Sequence, residues 1–374
     1  MVNRYINNDV DLAIEKNKRV VLYGRYHAFR KERVKSVMEQ TITEPVLSQD
    51  IVKISMDAYN RKSVRIASGT RYEPGFRFLT AAAAFLLIAS MTAIFILLVN
   101  ESLPVFREFG ITFITGSSWN PVLDKYGALP AIAGTLITSV LAVVIGAPLA
   151  LGVAFYITEL CPFKLRTVLS TTIELLAAVP SIIYGMWGLF VLVPFMSQVI
   201  QPPLIDILGP LPVIGIFFEG PPFGIGMLTA SLILSVMVLP FIASVSLQAF
   251  ATVPVALREA AYGTGASVWE VCRRIILPYT KNGIIGAIML GLGRALGETM
   301  AVTFVIGNAH RLKASIFAPG TTISATLANE FTEATGELYM HSLLALGLIL
   351  FIITFIVLMI TRIFLHSLNR NMPI

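Results

Sequence analysis

The stretch Gly224-Ile-Gly-Met-Leu-Thr-Ala-Ser-Leu-Ile-Leu-Ser-Val-Met-Val-Leu-Pro-Phe-Ile-Ala-Ser-Val-Ser-Leu-Gln-Ala-Phe250 contains no charged residue. About 20 helical residues suffice to cross ~30 Å of hydrocarbon, so this run is long enough to span a membrane. Apolar runs of similar length occur at 78–99, 131–157, 175–200, 284–307 and 342–361, and of these only 284–307 holds charges, Arg294 and Glu298. An open sheet cannot satisfy its backbone in lipid, so the expectation is an all-α integral membrane protein with six spans. The composition agrees. Of 374 residues 56% are hydrophobic and 13% charged, and the mean hydropathy of +0.77 excludes a water-soluble globular protein. The first run begins too late to be a cleavable signal peptide and is read as a retained span.

The formal charge of +6 suggests a nucleic-acid binder until it is divided by position. Residues 1–77 hold 15 Lys/Arg against 9 Asp/Glu, whereas residues 78–374 hold 13 of each, so the excess lies wholly before the first span. A basic segment beside a span fits retention on the cytoplasmic side and attraction to anionic membrane lipid, and no recognition motif argues for nucleic acid. The organisation expected is a basic cytoplasmic extension, 1–77, and a six-span domain, 78–374. Alternate loops differ in the same sense. The segments 1–77, 158–174 and 251–283 and the C-terminal end carry 23 Lys/Arg, and the opposite loops carry Arg107, Lys125, Arg311 and Lys313. Both termini are therefore expected in the cytoplasm of a multi-pass bacterial inner-membrane protein.

Enzymatic chemistry finds little footing. There is no G-x-x-x-x-G-K-[ST] phosphate loop, no H-E-x-x-H and no G-x-S-x-G, and the glycines at 291, 293 and 297 lie inside a span with the wrong spacing for a dinucleotide site. Cys161 and Cys272 have no ligand spacing and are expected as free thiols in cytosolic loops; the four histidines are scattered. No metal or cofactor is expected on this chain. Helix breakers interrupt several spans: Pro148, Pro180, Pro240, and Gly286, Gly291, Gly293 and Gly297. They suit tolerated kinks and close helix packing, and equally a bundle that changes shape.

The loop between the fourth and fifth runs reads Arg258-Glu259-Ala260-Ala261-Tyr262-Gly263-Thr264-Gly265-Ala266-Ser267-Val268-Trp269-Glu270-Val271-Cys272-Arg273-Arg274-Ile275-Ile276-Leu277-Pro278. It predicts a short helix with small residues at Ala260 and Ala261, a break at Gly265, an amphipathic helix from Ser267 to Ile276, and a proline stop. Val268, Val271 and Ile275 recur at helical spacing and can rest on the bundle, and an ordinary interfacial loop is the plain alternative. In the fifth run, Arg294 and Glu298 are four residues apart, which predicts one helix face shared by two charges that each cost about 3 kcal/mol in lipid. They are expected to face one another, as a structural ion pair, or a watery pathway in which Arg294 offers a fork of donors to an oxyanion.

The loop residues fill a known spacing. Glu259-Ala260-Ala261, three residues, Gly265, nine residues, then Ile275-x-Leu277-Pro278 resembles the EAA signature of bacterial ABC importer permeases. Gly291 to Val302, Ile306-Gly307-Asn308, Ser118 to Pro121, Tyr126 to Pro130, Glu174 to Ser181, Tyr184 to Leu189 and Ala328 to Phe331 resemble the phosphate-specific permeases of the PstC type, over about residues 72–370. The resemblance implies a six-helix type I importer domain whose loop is a cytoplasmic coupling helix, Glu259, Ala260, Ala261 and Gly265 docking on a separate ATPase. It implies a role in transport for Arg294 and Glu298. It further implies a second permease of the PstA type, two ATP-binding subunits of the PstB type and a periplasmic PstS-type binding protein, with ATP used by the partner. The function so implied is ATP-driven phosphate import by alternating access, with this chain a transport subunit and not an enzyme. Permeases for another oxyanion, such as molybdate or sulfate, remain an alternative, as do an ion-coupled secondary carrier and a membrane scaffold. The segment before about residue 70 is longer than the family's short lead; parts of it, 11–26 and 29–38, mix basic and apolar residues in a way that suits surface helices.

Overall fold

A computed structural model describes residues 73–212 and 214–370, and the expected surface helices at 11–26 and 29–38 lie outside the described residues. The chain divides into two units between Ala89 and Ser90. Helix α1 spans Glu73–Phe109. The second unit continues with α2 (Leu129–Leu160), α3 (Phe163–Ala177), α4 (Ser181–Leu208), α5 (Met227–Ala251), α6 (Val255–Gly263), α7 (Val268–Leu296), α8 (Met300–Ile306), α9 (Ile323–Glu330) and α10 (Glu337–Arg370). Six of these, α1, α2, α4, α5, α7 and α10, are long and apolar enough to cross a membrane. Among the described residues there is no strand beyond an isolated bridge between Asn120 and Lys125.

Helix α5 is the hub. It packs on α2, α3, α7 and α8, and Ala230, Ile233, Leu234, Val238, Ile242 and Ala243 are wholly buried along it. Small residues let the neighbours come close, as expected where packing and not hydrophobicity drives helix association. A Cβ on Gly146 of α2 would stand 3.1 Å from the Ser235 carbonyl oxygen of α5, and Gly188 of α4 leaves room for the Ile233 side chain. Pro148 and Pro240 lie inside α2 and α5, which continue through them. Pro180 instead precedes the first turn of α4, so the run expected at 175–200 is two elements: α3 ends at Ala177 and α4 begins at Ser181. A proline forces extended backbone on the residue before it and suits a helix start, which explains the division.

Four widened π turns, Tyr156–Leu160, Gly188–Leu192, Met196–Ile200 and Cys272–Ile276, explain further departures from the sequence reading. Pro278 does not stop a helix. It follows the turn at Cys272–Ile276, where the hydrogen-bond ladder is already shifted, and α7 runs on to Leu296. Cys272 accordingly sits buried within a helix and not in a loop, while Cys161 is buried just past the end of α2; both are free thiols. Pro202 and Pro203 likewise follow the turn at Met196–Ile200 and are carried in α4 to Leu208. The fifth run, read as one helix over 284–307, is broken. Helix α7 ends at Leu296, Gly297 to Thr299 form a non-helical link, and α8 restarts at Met300.

At one end of the second unit lie α6 and the start of α7. At the other, the segment from Gly307 to Thr322 returns along the start of α5, where Leu228 N–H donates to the Ile316 carbonyl at 2.8 Å and Met227 N–H to that of Ala318 at 3.3 Å. It leads into the buried start of α9, whose Ile323 N–H donates to Thr135 Oγ1 of α2 at 2.9 Å.

Candidate functional sites at the broken span and the α6 loop

The α6 loop begins after Pro254 and carries its polar and small residues on two sides. Glu259, Ala260 and Gly263 are exposed, with Val255, Leu257 and Trp269 bare beside them. Ala261 turns the other way, onto a cluster formed by Ala154, Phe250, Val253, Val271 and Ile276. Gly265 ends the element at φ +85°, a conformation that side-chain-bearing residues rarely adopt; an added Cβ would meet nothing within 4 Å, so backbone geometry alone calls for glycine here. Of the four residues singled out in this loop, Glu259 and Ala260 thus form an outward face, Ala261 anchors it, and Gly265 makes the reversal.

The next helix starts on a capping box that the sequence reading passed over, although S-x-x-E was there to be read. Ser267 Oγ accepts from Glu270 N–H at 3.4 Å, and Glu270 Oε2 accepts from Ser267 N–H at 2.9 Å. Val271 is fully buried and Val268 and Ile275 partly so, placing this stripe on the bundle.

Arg294 and Glu298 do not share a helix face. The break at Gly297 separates them, and among the described residues no ion pair joins them. Glu298 Oε1 instead accepts from Ala301 N–H at 3.4 Å, and so helps satisfy the first turn of α8. Arg294, in the last turn of α7, is exposed, with its guanidinium 5.9 Å from the centre of the Phe241 ring of α5. Across the break, Gly185 lets α4 meet α8 closely, since a Cβ there would lie 3.0 Å from Ala301 Cα. The arrangement is a broken span with a cation that, among the described residues, is ion-paired to no carboxylate at its first end and an acceptor-capped second half.

Two further constellations come from residues whose roles were not legible. At the end away from α6, the Glu330 carboxylate accepts from Trp119 Nε1 at 2.8 Å, Tyr339 OH at 2.7 Å and His310 Nε2 at 2.6 Å. Trp119 stacks on His310 and Tyr126 on Tyr339, with ring centroids 5.4 and 5.7 Å apart. Burial pushes the Glu330 carboxyl up, but its three hydrogen bonds and the histidine outweigh that and bring it below the ordinary carboxylate range. Burial, with Asp124 alongside, pushes the Tyr126 phenol up to about 12. At the α6 end, Arg258 Nη1 and Tyr262 OH donate to the two carboxylate oxygens of Glu159, at 2.7 and 3.1 Å. Burial and then the Glu159 carboxylate raise the Tyr262 phenol above its usual value, so it stays a donor.

Comparison with known proteins places these features in a family. Residues 146–372 match the family described as the binding-protein-dependent transport system inner membrane component. The chain belongs to this family, and within it to the PstC-type ABC permeases. It is 55% identical over 79% of its length, and 90% of the relative's, to the phosphate transport system permease protein PstC of Mesorhizobium japonicum. It is 54% identical to the PstC of Xylella fastidiosa over 78% of this chain and 90% of that one. More distantly, it is 34% identical to the probable ABC transporter permease YqgH of Bacillus subtilis, over 76% and 88%. Among solved structures it is similar in fold to a bacterial alginate ABC transporter in complex with an alginate-bound periplasmic protein. The TM-score is 0.50 at 20% identity, over 78% of this chain and 96% of that one. The chain is thus an all-α, multi-pass membrane permease, a transport subunit and not an enzyme.

Proposed function

We infer that this PstC-type chain is the membrane permease of an ATP-driven inorganic phosphate importer. The observation that carries the reading is the 55% identity over 90% of a relative named for phosphate transport. Geometry supports it with Arg294, an exposed guanidinium at a break in a span, where a planar fork of donors suits a tetrahedral oxyanion and, among the described residues, no carboxylate is ion-paired with it. Molybdate and sulfate offer similar oxygens, and the relatives' names favour phosphate over both.

The assembly is one PstA-type second permease, two PstB-type ATP-binding subunits and a PstS-type binding protein outside. Residues 1–77 form a cytoplasmic extension, residues 78–374 the six-span permease, and both termini face the cytoplasm. The outward face of α6, with Glu259 and Ala260, docks on the ATPase, which holds and hydrolyses ATP. Closure of the ATPases moves α6, and the spans alternate between two access states. Glu298 holds the start of α8, so phosphate passes Arg294 beside a fixed link in α7–α8.

The test is uptake of labelled phosphate by cells lacking their own high-affinity importer and supplied with this chain and its partner subunits. Uptake is expected to persist in excess sulfate or molybdate, and Arg294→Ala is expected to insert normally yet lose at least about tenfold in uptake. Full uptake by the variant makes Arg294 a packing residue. No phosphate uptake despite verified assembly returns the substrate to the other oxyanions.

A further inference from the structure

We propose that Glu159, gripped by Arg258 and Tyr262, is the joint through which movement of α6 enters the second span, making these three residues positioning residues for transport. The proposal rests on the reading of α6 as the ATPase-docking element. No residue of α6 is fully buried, and among the described residues its side-chain hydrogen bonds to the rest of the bundle are those of Arg258 and Tyr262. These two are four residues apart, on one helix face, and take one oxygen each of the same carboxylate. The second guanidinium nitrogen of Arg258 donates to the Phe250 carbonyl in the last turn of α5, at 2.5 Å. One planar group on α6 therefore ties the ends of α2 and α5 together.

Burial makes this link stiff. The Arg258 and Glu159 side chains are 17% and 6% exposed, unlike a solvated surface pair that exchanges partners freely. Arg258 Nε is buried without a partner, so one donor stays uncommitted in this arrangement. The position of Glu159 is also informative. It lies in the π turn that closes α2, where an acidic side chain meets the negative end of the helix dipole. The carboxylate therefore does not stabilise its own helix, and Arg166 of α3 already covers the end by donating to the Ile157 carbonyl, at 2.9 Å, and to that of Thr158. What the carboxylate does is bind α6. Beyond the joint, α2 runs against α5 to the opposite end, where Thr135 holds the first N–H of α9, so a push at Glu159 is carried along a packed rod to the far side.

The experiment uses the complete importer in vesicles, with binding protein and labelled phosphate, reading phosphate imported per ATP hydrolysed together with retention of the ATPase subunits in a pull-down. Glu159→Gln is expected to retain the ATPase and lose about tenfold in phosphate per ATP. Tyr262→Phe, a milder change, is expected to lose about twofold to fivefold in the same direction. Exchanging the charges, Arg258→Glu with Glu159→Arg, is expected to restore part of the loss of either single change. An unchanged phosphate-to-ATP ratio in Glu159→Gln and Tyr262→Phe overturns the proposal. Loss of the ATPase subunits in both variants also overturns it, because the link then only holds α6 in shape. Ala260→Trp, on the outward face, separates the two readings: if it leaves ATPase retention and uptake intact, the docking role of α6 fails whatever Glu159 does.

Discussion

The Glu330 carboxylate accepts hydrogen bonds from residues on three separate segments, Trp119 before α2, His310 after α8 and Tyr339 in α10. Ionised, it fixes all three; protonated, it loses acceptor capacity where the surroundings leave little water to replace it. Its carboxyl titrates below the ordinary 4.5, so the stability it contributes is complete above about that value. That contribution is lost as pH falls through the lower folded-state value. Glu330→Gln should cost about 2 kcal/mol at neutral pH. Thermal unfolding in detergent at pH 7 and pH 4 should show a smaller acid-induced fall in Tm for the variant than for the parent chain. Equal falls would place the acid sensitivity elsewhere. Little of this was legible in advance. Trp119, Tyr126 and Glu330 stood out by resemblance, but His310 was one of four scattered histidines, and nothing local says that it meets a carboxylate 20 residues on.

At the scale of elements, apolar length and punctuation carried most of the information. The apolar runs mark the six long helices because hydrocarbon leaves the backbone no other partner. Their ends were read less well, and the physical reason is shared. Pro202 and Pro278 look like terminators, yet each follows a π turn that has already displaced the hydrogen-bond ladder. Gly297 looked like one small residue among several, yet it is where α7 stops, because Glu298 is available to accept from the next helix. The start of α7 was legible at Ser267, and its cap gives a prediction. Ser267→Ala should destabilise that end by about 1 kcal/mol and Ser267→Asp should largely preserve it. Hydrogen exchange over 268–276 reads the change directly: faster exchange confined to the alanine variant is expected, and equal protection in both would mean that packing of Val271 and Ile276 alone holds the turn. The joint at Glu159 had no such signature. Its partners Arg258 and Tyr262 lie 99 and 103 residues further along the sequence, and only the fold brings them to it.

For the whole molecule, the question that joins all of these sites is which end faces which compartment. The α6 face and the joint at Glu159 serve an ATPase only if that end is cytoplasmic, and the Glu330 cluster meets a binding protein's side of the membrane only if the other end is outside. The helices alone fix the two ends relative to the spans; charge supplies the direction, with Lys164, Arg166, Arg258, Arg273, Arg274 and Lys281 at the α6 end against Arg107, Lys125, Arg311 and Lys313 opposite. Lys164 and Lys313 are both exposed, so each can be exchanged for cysteine, in a chain whose own two thiols are buried, without disturbing a packed contact. In intact spheroplasts a membrane-impermeant maleimide should label Lys313→Cys at once and Lys164→Cys only after permeabilisation. The reverse pattern would put α6 where no ATP is available and would sink both the docking of the ATPase and the joint at Glu159. It would leave untouched the argument from Arg294, because a cation at a broken span faces the same pathway from either side.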